Sequence, residues 1–341
     1  MSLRSLKALV DAGLVPPERV PELLGVVERF AVGLTPTVVE QIRQGSQGIA
    51  RQYLPQAAEL QIQPQELSDP IGDGPHSPLP GVVRRYPDRA LLKPVHVCPV
   101  YCRFCFRREQ VGPEGEVLHQ QQLAAALDWI EGQPGLREVI LSGGDPLVLS
   151  DGRLAPILAR LGRIEHLELV RVHTRIPVVQ PERVTSELAA ILRGQPGLTP
   201  WLVVHVNHPD ELDPAASEAI GRLVDAGIPL LSQSVLLAGI NDSADTLEAL
   251  FRRLLRLRVK PYYLHQGDLA PGTGHFRVPI ERGQQILREL RGRISGIALP
   301  TYILDIPGGH GKVPIGPLYL RPEGDGFVVE DPWGGAHTLA R

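Results

Sequence analysis

Between residues 90 and 266, short apolar runs alternate with longer amphipathic ones, and this alternation limits the fold more than any other feature of the chain. The short runs are "ALLKPVHVC" (90–98), "EVILSGG" (138–144), "LELVRVHT" (167–174), "WLVVHVN" (201–207), "PLLSQSVLL" (229–237) and "KPYYLHQ" (260–266). Their length and content of β-branched and aromatic residues mark them as strands. Between them lie stretches with a helical apolar rhythm, such as "HQQQLAAALDWIEGQ" (119–133) and "SADTLEALFRRLLRLR" (243–258). Repeated strand-then-helix units build a parallel sheet through right-handed crossovers. The pattern fits a full or partial barrel, and taken alone it also fits a doubly wound open sheet.

Polar and glycine residues gather where these strands end. The cysteines follow the first, Gly143, Gly144 and Asp145 the second, and His173 and Arg175 the third. His205 and Asn207 end the fourth, Gln233 lies within the fifth, and Asp268 follows the sixth. Parallel α/β folds carry their sites at the C-terminal ends of their strands, so these residues are expected to share one mouth.

The flanks read differently. Residues 1–80 are expected to be helical: "VPELLGVVERFAVGL" (20–34) has a 3.6-residue apolar period, and "TPTVVEQIRQG" (35–45) opens on Thr-Pro and stops at Gly45. "SDPIGDGPHSPLPG" (68–81) is turn-rich and reads as a linker. A late strand, "IALPTYILDI" (297–306), leads into a Gly-rich loop and a Pro/Gly-rich tail from 317. The expected organisation is a helical region 1–80, an α/β body 81–296, and a C-terminal strand, loop and tail 297–341.

A net charge of −3 gives no global attraction to nucleic acid or an anionic membrane. No apolar run is long enough to span a bilayer, and charges interrupt Leu3, Leu6, Leu9, Val10 and Leu14, so no signal-peptide core is read. The three cysteines have no disulfide spacing and fit a reducing cytoplasm.

All three cysteines lie in "VCPVYCRFCFRRE" (97–109), as C-x3-C-x2-C. Structural zinc needs four ligands, usually from two paired motifs, and the second pair is missing; His96 or His119 would have to complete it. An iron–sulfur cubane takes four thiolates, so three would leave one iron open to a ligand. "DIPGGHGKVPIGP" (305–317) looks like a phosphate loop but fails the pattern twice, with Ile306 at the first Gly and Val313 after Gly-Lys. A lysine in such a loop also suits Schiff-base chemistry with pyridoxal phosphate.

The cysteine spacing, with Phe104 before the last thiol and "GGDPL" (143–147) after the next strand, resembles the radical S-adenosylmethionine (radical SAM) signature. Nearly the whole chain resembles the lysine 2,3-aminomutase family, through "RYPDRALL", "CPVYCRFCFRR", "LSGGDPL", "VHTRIPVVQPERV", "VNHPDEL", "SQSVLLAGINDS", "PYYLHQGDLAPGTGHFRVP" and "DIPGGHGKVPI". The resemblance implies a partial (β/α)6-type radical SAM barrel with an N-terminal helical region and a short C-terminal segment carrying the pyridoxal phosphate lysine. It implies an isomerase that converts L-lysine to β-lysine with a [4Fe–4S] cluster, S-adenosylmethionine and pyridoxal 5′-phosphate. Cys98, Cys102 and Cys105 would hold the cluster. Phe104, Gly143, Gly144, Asp145, His205 and Gln233 would lie near S-adenosylmethionine. Lys312, Arg85, Tyr86 and Arg89 would bind pyridoxal phosphate, Arg107 the substrate carboxylate, and Asp268 and Asp305 its distal ammonium. Arg107 offers a planar fork for a carboxylate. A low-potential donor such as ferredoxin or flavodoxin would reduce the cluster, and a homo-oligomer is possible. The length also resembles the short relatives that make (R)-β-lysine for elongation factor P. A repurposed iron–sulfur protein acting on another amino acid is the remaining alternative.

Overall fold

All six expected strand–helix units form, and the late strand joins them. The computed structural model describes residues 2–194 and 197–341. Its main sheet contains β1 (Val82–Val83), β2 (Arg89–Val95), β3 (Glu138–Gly143), β4 (Leu169–Thr174), β5 (Thr199–His205), β6 (Leu230–Val235), β7 (Val259–His265), β8 (Thr301–Asp305) and β9 (Lys312–Pro314). The strands lie in space in their order along the chain. β2 to β8 are parallel, with β1 and β9 antiparallel at the two edges.

This order decides between the two architectures that the pattern allowed. A doubly wound sheet reverses direction at a switch point and carries helices on both faces. Here every crossover adds its strand to the same edge, so right-handed connections place the helices on one face. The other face is left as an interior. β1 and β9 do not pair, so the barrel is partial.

The period of two within each strand assigns side chains to the two faces. In β4, Val170 and Val172 are buried in the hydrophobic core, whereas Leu169, Arg171 and His173 line an interior cavity. In β6, Leu231 and Gln233 line the same cavity. The outer layer follows the helical period: Ala244–Arg256 buries Leu247, Leu250, Phe251 and Leu254 against the sheet. One hydrophobic core runs from Leu6 to Tyr302 and includes the N-terminal helices. There Thr35 caps Pro36–Arg43, its Oγ1 accepting from the Val38 N–H, as the Thr-Pro signal implies.

Two stretches differ from their sequence reading. The 68–81 stretch is wedged against the lysine loop rather than running free. The Gly308 N–H donates to the Pro70 carbonyl at 3.2 Å, and a Cβ on Gly72 would lie 2.7 Å from Gly308. The tail forms an antiparallel sheet of β10 (Leu320–Glu323), β11 (Gly326–Glu330) and β12 (Ala336–Ala340). The signal was present as "EGDGF", a Gly-Asp-Gly turn followed by an apolar run.

Gly144 and Gly221 give opposite expectations. A Cβ on Gly144 would lie 2.3 Å from the Val97 carbonyl, and one on Gly221, within helix Pro214–Asp225, would meet nothing. Gly144→Ala should therefore cost about 1–3 kcal/mol in urea unfolding, and Gly221→Ala should add about 0.5–1 kcal/mol. Equal stability of the two variants would contradict this packing.

Candidate active site

The cysteine loop leaves the end of β2 and is held there by the glycines after β3. Gly143 has φ +111°, and a Cβ on it would lie 2.6 Å from the Val95 carbonyl oxygen. The Gly144 N–H donates to that oxygen at 2.7 Å, and the Asp145 N–H to the Val97 carbonyl at 3.0 Å. The glycines are thus required for backbone approach at the entry to the loop. Asp145 also has a local task. Its carboxylate accepts from Leu147 N, Thr174 Oγ1 and Arg175 N, joining the ends of β3 and β4.

Cys98, Cys102 and Cys105 line a cavity of about 170 Å³ together with Phe104, Arg107, Gly143, Gly144, Asp145, His205, Gln233 and Asp268. The strand-end residues therefore share one mouth except Asn207, which does not line it: its side chain donates to Gln52 Oε1 and accepts from the Val235 N–H. Burial pushes all three thiols above their ordinary value, Cys105 to about 11. Metal must displace a proton from each. Among the described residues no three His, Cys, Asp or Glu side chains converge as on a single ion. Three thiolates are one short of a four-ligand zinc site, and on an iron–sulfur cubane they would leave one iron open to a ligand.

His205 packs on Phe104 at a ring separation of 5.8 Å, and Phe104 meets Phe276 edge-on at 6.3 Å. Burial lowers the pKa of His173, His205 and His265, the last to about 3, so all three are neutral near pH 7. The Nε2 atom of each is buried without a protein partner. Such atoms are expected where a polar ligand completes the hydrogen bonding. Gln233 Nε2 lies 3.4 Å from His173 Nδ1.

A second cavity, of about 540 Å³, occupies the interior behind the first. Lys312, Arg85, Tyr86 and Arg89 line it, with Tyr262, Tyr263 and Trp201. β9 pairs with β8 so that Lys312 stands opposite Asp305, and the two side chains form an ion pair. The Lys312 N–H donates to Tyr86 Oη at 2.8 Å, and Arg89 stacks on the Tyr86 ring at 3.7 Å. Arg107, His173, Gln233 and His265 line both cavities and so form the wall between them. The volume, the lysine and the arginines suit an anionic aromatic cofactor.

The central acid of this region was missed in the sequence. Asp73, from the supposed linker, accepts from Arg107 Nε and Nη2 at 2.9 and 2.8 Å, Lys93 Nζ at 3.3 Å and Arg85 Nη2 at 3.2 Å. Arg85 continues to Asp305 at 3.1 Å, and Asp305 to Lys312. One edge of the Arg107 fork is therefore already taken. Asp305 is engaged twice and lines neither cavity, whereas Asp268 lines the first. Burial raises Asp268 to about 7, although Lys312 pulls it down. A second buried acid, Glu59, accepts from Arg103 Nη2 at 2.6 Å and pairs with Arg108, which gives Arg108 a structural task. An acid in a Gly/Pro turn has no local signal for such a role. His265 had one, its place at a strand end.

Burial alone would raise Asp73, but Arg107 and Lys93 overcome this and hold it at about 2, below its ordinary 3.8. Its stabilising share is present above the ordinary carboxylate value and is lost as pH falls from about 4 to about 2. Asp73→Asn should destabilise the fold at pH 7 by about 2–5 kcal/mol. It should also flatten stability against pH across that acid window. Chemical unfolding at pH 2–7 measures both, and an unchanged acid slope would contradict the pairing.

A family model described as the radical SAM superfamily matches residues 92–253, and one described as lysine-2,3-aminomutase matches residues 287–338. The chain is 39% identical over 330 residues to the L-lysine 2,3-aminomutase of Fusobacterium nucleatum, covering 96% of this chain and 76% of that one. It is 41% identical over 281 residues to the enzyme of the same name from Clostridium subterminale, covering 82% and 67%. It is 37% identical over 282 residues to the glutamate 2,3-aminomutase of Clostridioides difficile, covering 83% and 66%. No helix among the described residues is long and apolar enough to cross a membrane.

Proposed function

This chain belongs to the lysine 2,3-aminomutase family of the radical SAM superfamily, and we propose that the amino acid it rearranges is L-lysine, to β-lysine, with pyridoxal phosphate as a second cofactor. It is an isomerase, and its superfamily uses a [4Fe–4S] cluster with S-adenosylmethionine. When bound, these groups would supply a 5′-deoxyadenosyl radical and an aromatic aldehyde that holds the migrating nitrogen while its bond to the α-carbon is exchanged for one to the β-carbon.

The observation that carries lysine over glutamate is Asp268, a carboxyl group in the same cavity as Arg107. Arg107 has Nη1 outside its contacts with Asp73, and it offers this to the substrate carboxylate. Asp268 faces the other end and takes the distal ammonium. A substrate with an acidic side chain would set a second carboxyl against Asp268, and the nearby Lys312 is already paired with Asp305, so glutamate is disfavoured. Asp305 holds an alkylammonium already, that of Lys312. Arg85 holds its other oxygen and it lines neither cavity, so the substrate's distal ammonium is assigned to Asp268 alone.

The remaining residues have positioning roles. Asp73 fixes Arg107, so little rotamer freedom is lost when the substrate carboxylate docks. Cys98, Cys102 and Cys105 would hold the cluster, and Phe104, Gly143, Gly144, His205 and Gln233, which line the same cavity, would receive S-adenosylmethionine. His173 and His265 stay neutral in the shared wall and do not compete as cations for the substrate carboxylate.

Anaerobic reconstitution with iron, sulfide, pyridoxal phosphate, S-adenosylmethionine and a reductant should yield β-lysine from L-lysine. Absence of β-lysine, without lysine-dependent consumption of S-adenosylmethionine, would overturn the reading. Lys312→Ala should abolish the visible band of bound pyridoxal phosphate while leaving the cluster spectrum intact.

Lysine affinity has a defined pH sign. Asp268 must be ionised to pair with an ammonium, so affinity should fall as pH drops through about 7. Asp268→Asn should raise KM for lysine about 10–100-fold at pH 8, equivalent to one charge-assisted hydrogen bond. The variant should also lose the pH step. An unchanged KM–pH profile would remove Asp268 from the substrate site.

A further inference from the structure

Arg175 follows β4 and is buried, yet neither the substrate nor the lysine loop explains it. Its Nη1 donates to the Sγ of Cys102 at 2.8 Å. Its Nη2 donates to Gln52 Oε1 at 3.0 Å and pairs with Glu211. Glu211 is fixed in turn: its Oε1 accepts from Asn207 N at 2.8 Å, His208 N at 2.9 Å and Gln52 Nε2 at 3.1 Å. The Arg175 backbone N–H is held by Asp145 at 2.7 Å, and its guanidinium lies over Phe104 and Tyr53. Every contact fixes the guanidinium against a cluster-ligand sulfur.

We propose that Arg175 and Glu211 together set the reduction potential of the iron–sulfur cluster: Arg175 raises it through the Cys102 sulfur, and Glu211 moderates that effect. This rests on Cys102 being a cluster ligand and is independent of the substrate. In the reductive step one electron from an external low-potential donor enters the cluster, and no bond forms or breaks. The cluster gains one negative charge. A guanidinium donating to a ligand sulfur stabilises the more negative state, and hydrogen bonds to cluster sulfurs are a recognised determinant of potential. Burial keeps water from screening the effect. Glu211, on the far side of the guanidinium, stabilises the less negative state. The pair therefore predicts shifts of opposite sign, which general loosening of the site would not produce.

The test is an anaerobic redox titration of the reconstituted holoenzyme without lysine, followed by electron paramagnetic resonance of the reduced cluster. At the potential that half-reduces the wild-type cluster, Arg175→Met should lower the reduced-to-oxidised ratio about tenfold, a 59 mV shift for one electron. Arg175→Lys, which keeps the charge, should lower it less, and Glu211→Gln should raise it. If Arg175→Met does not assemble a cluster, the other two variants decide by the same signs. Unchanged potentials in Arg175→Lys and Glu211→Gln, or shifts of all variants in one direction, would overturn the proposal. So would a loss of S-adenosylmethionine affinity at constant potential, which would assign Arg175 to that ligand. Loss of cluster binding in Cys102→Ala marks the underlying ligand assignment as sound, and retention of an unaltered cluster there would refute it separately.

Discussion

Two buried carboxylates hold the cysteine loop in place. Glu59 takes Arg103 and Arg108, and Asp73 takes Arg107. All three arginines belong to the segment that carries the thiols, and both acids come from the chain before the parallel strands begin. Burying these cations alone would be strongly unfavourable, so the acids and the loop require each other. The N-terminal region is therefore part of the site rather than an appendage to it.

The sheet makes that arrangement possible. Because strands are added in chain order, the helices cover one face and the other remains as an interior. Residues two apart then line one wall. Arg171 and His173 of β4 enter the interior, while Val170 and Val172 pack under the helices. The strand ends raise His173, His205, Gln233 and His265 to the level of the thiols. Partial closure leaves β9 free to bring Lys312 back opposite Asp305.

Charge is distributed unevenly within this interior. A chain of ion pairs runs from Lys312 through Asp305, Arg85 and Asp73 to Arg107. It connects the two cavities and leaves neutral imidazoles in the wall between them. Asp268 stands apart with a raised pKa, held by burial rather than by a partner cation. Fixed charges that pair with one another orient the site without attracting bulk water, and a half-ionised acid near neutral pH is poised to accept a cationic group.

The sequence by itself determined what local pattern controls. Period and turn chemistry gave the six strand–helix units, the cap at Thr35 and the strand-end location of the site. The cysteine spacing and the lysine loop identified the residues that resemble a known chemistry. Tertiary structure decided the rest. It chose a partial barrel over a doubly wound sheet, because strand order is not encoded in any one strand. It made the 68–81 stretch a wedge carrying Asp73, gave Arg108 to Glu59 and Arg175 to Cys102, and turned the tail into a small sheet. Each of these rests on groups distant in sequence that neutralise or complete one another. A buried acid and its arginine have no shared period or spacing, so only the folded chain brings them together.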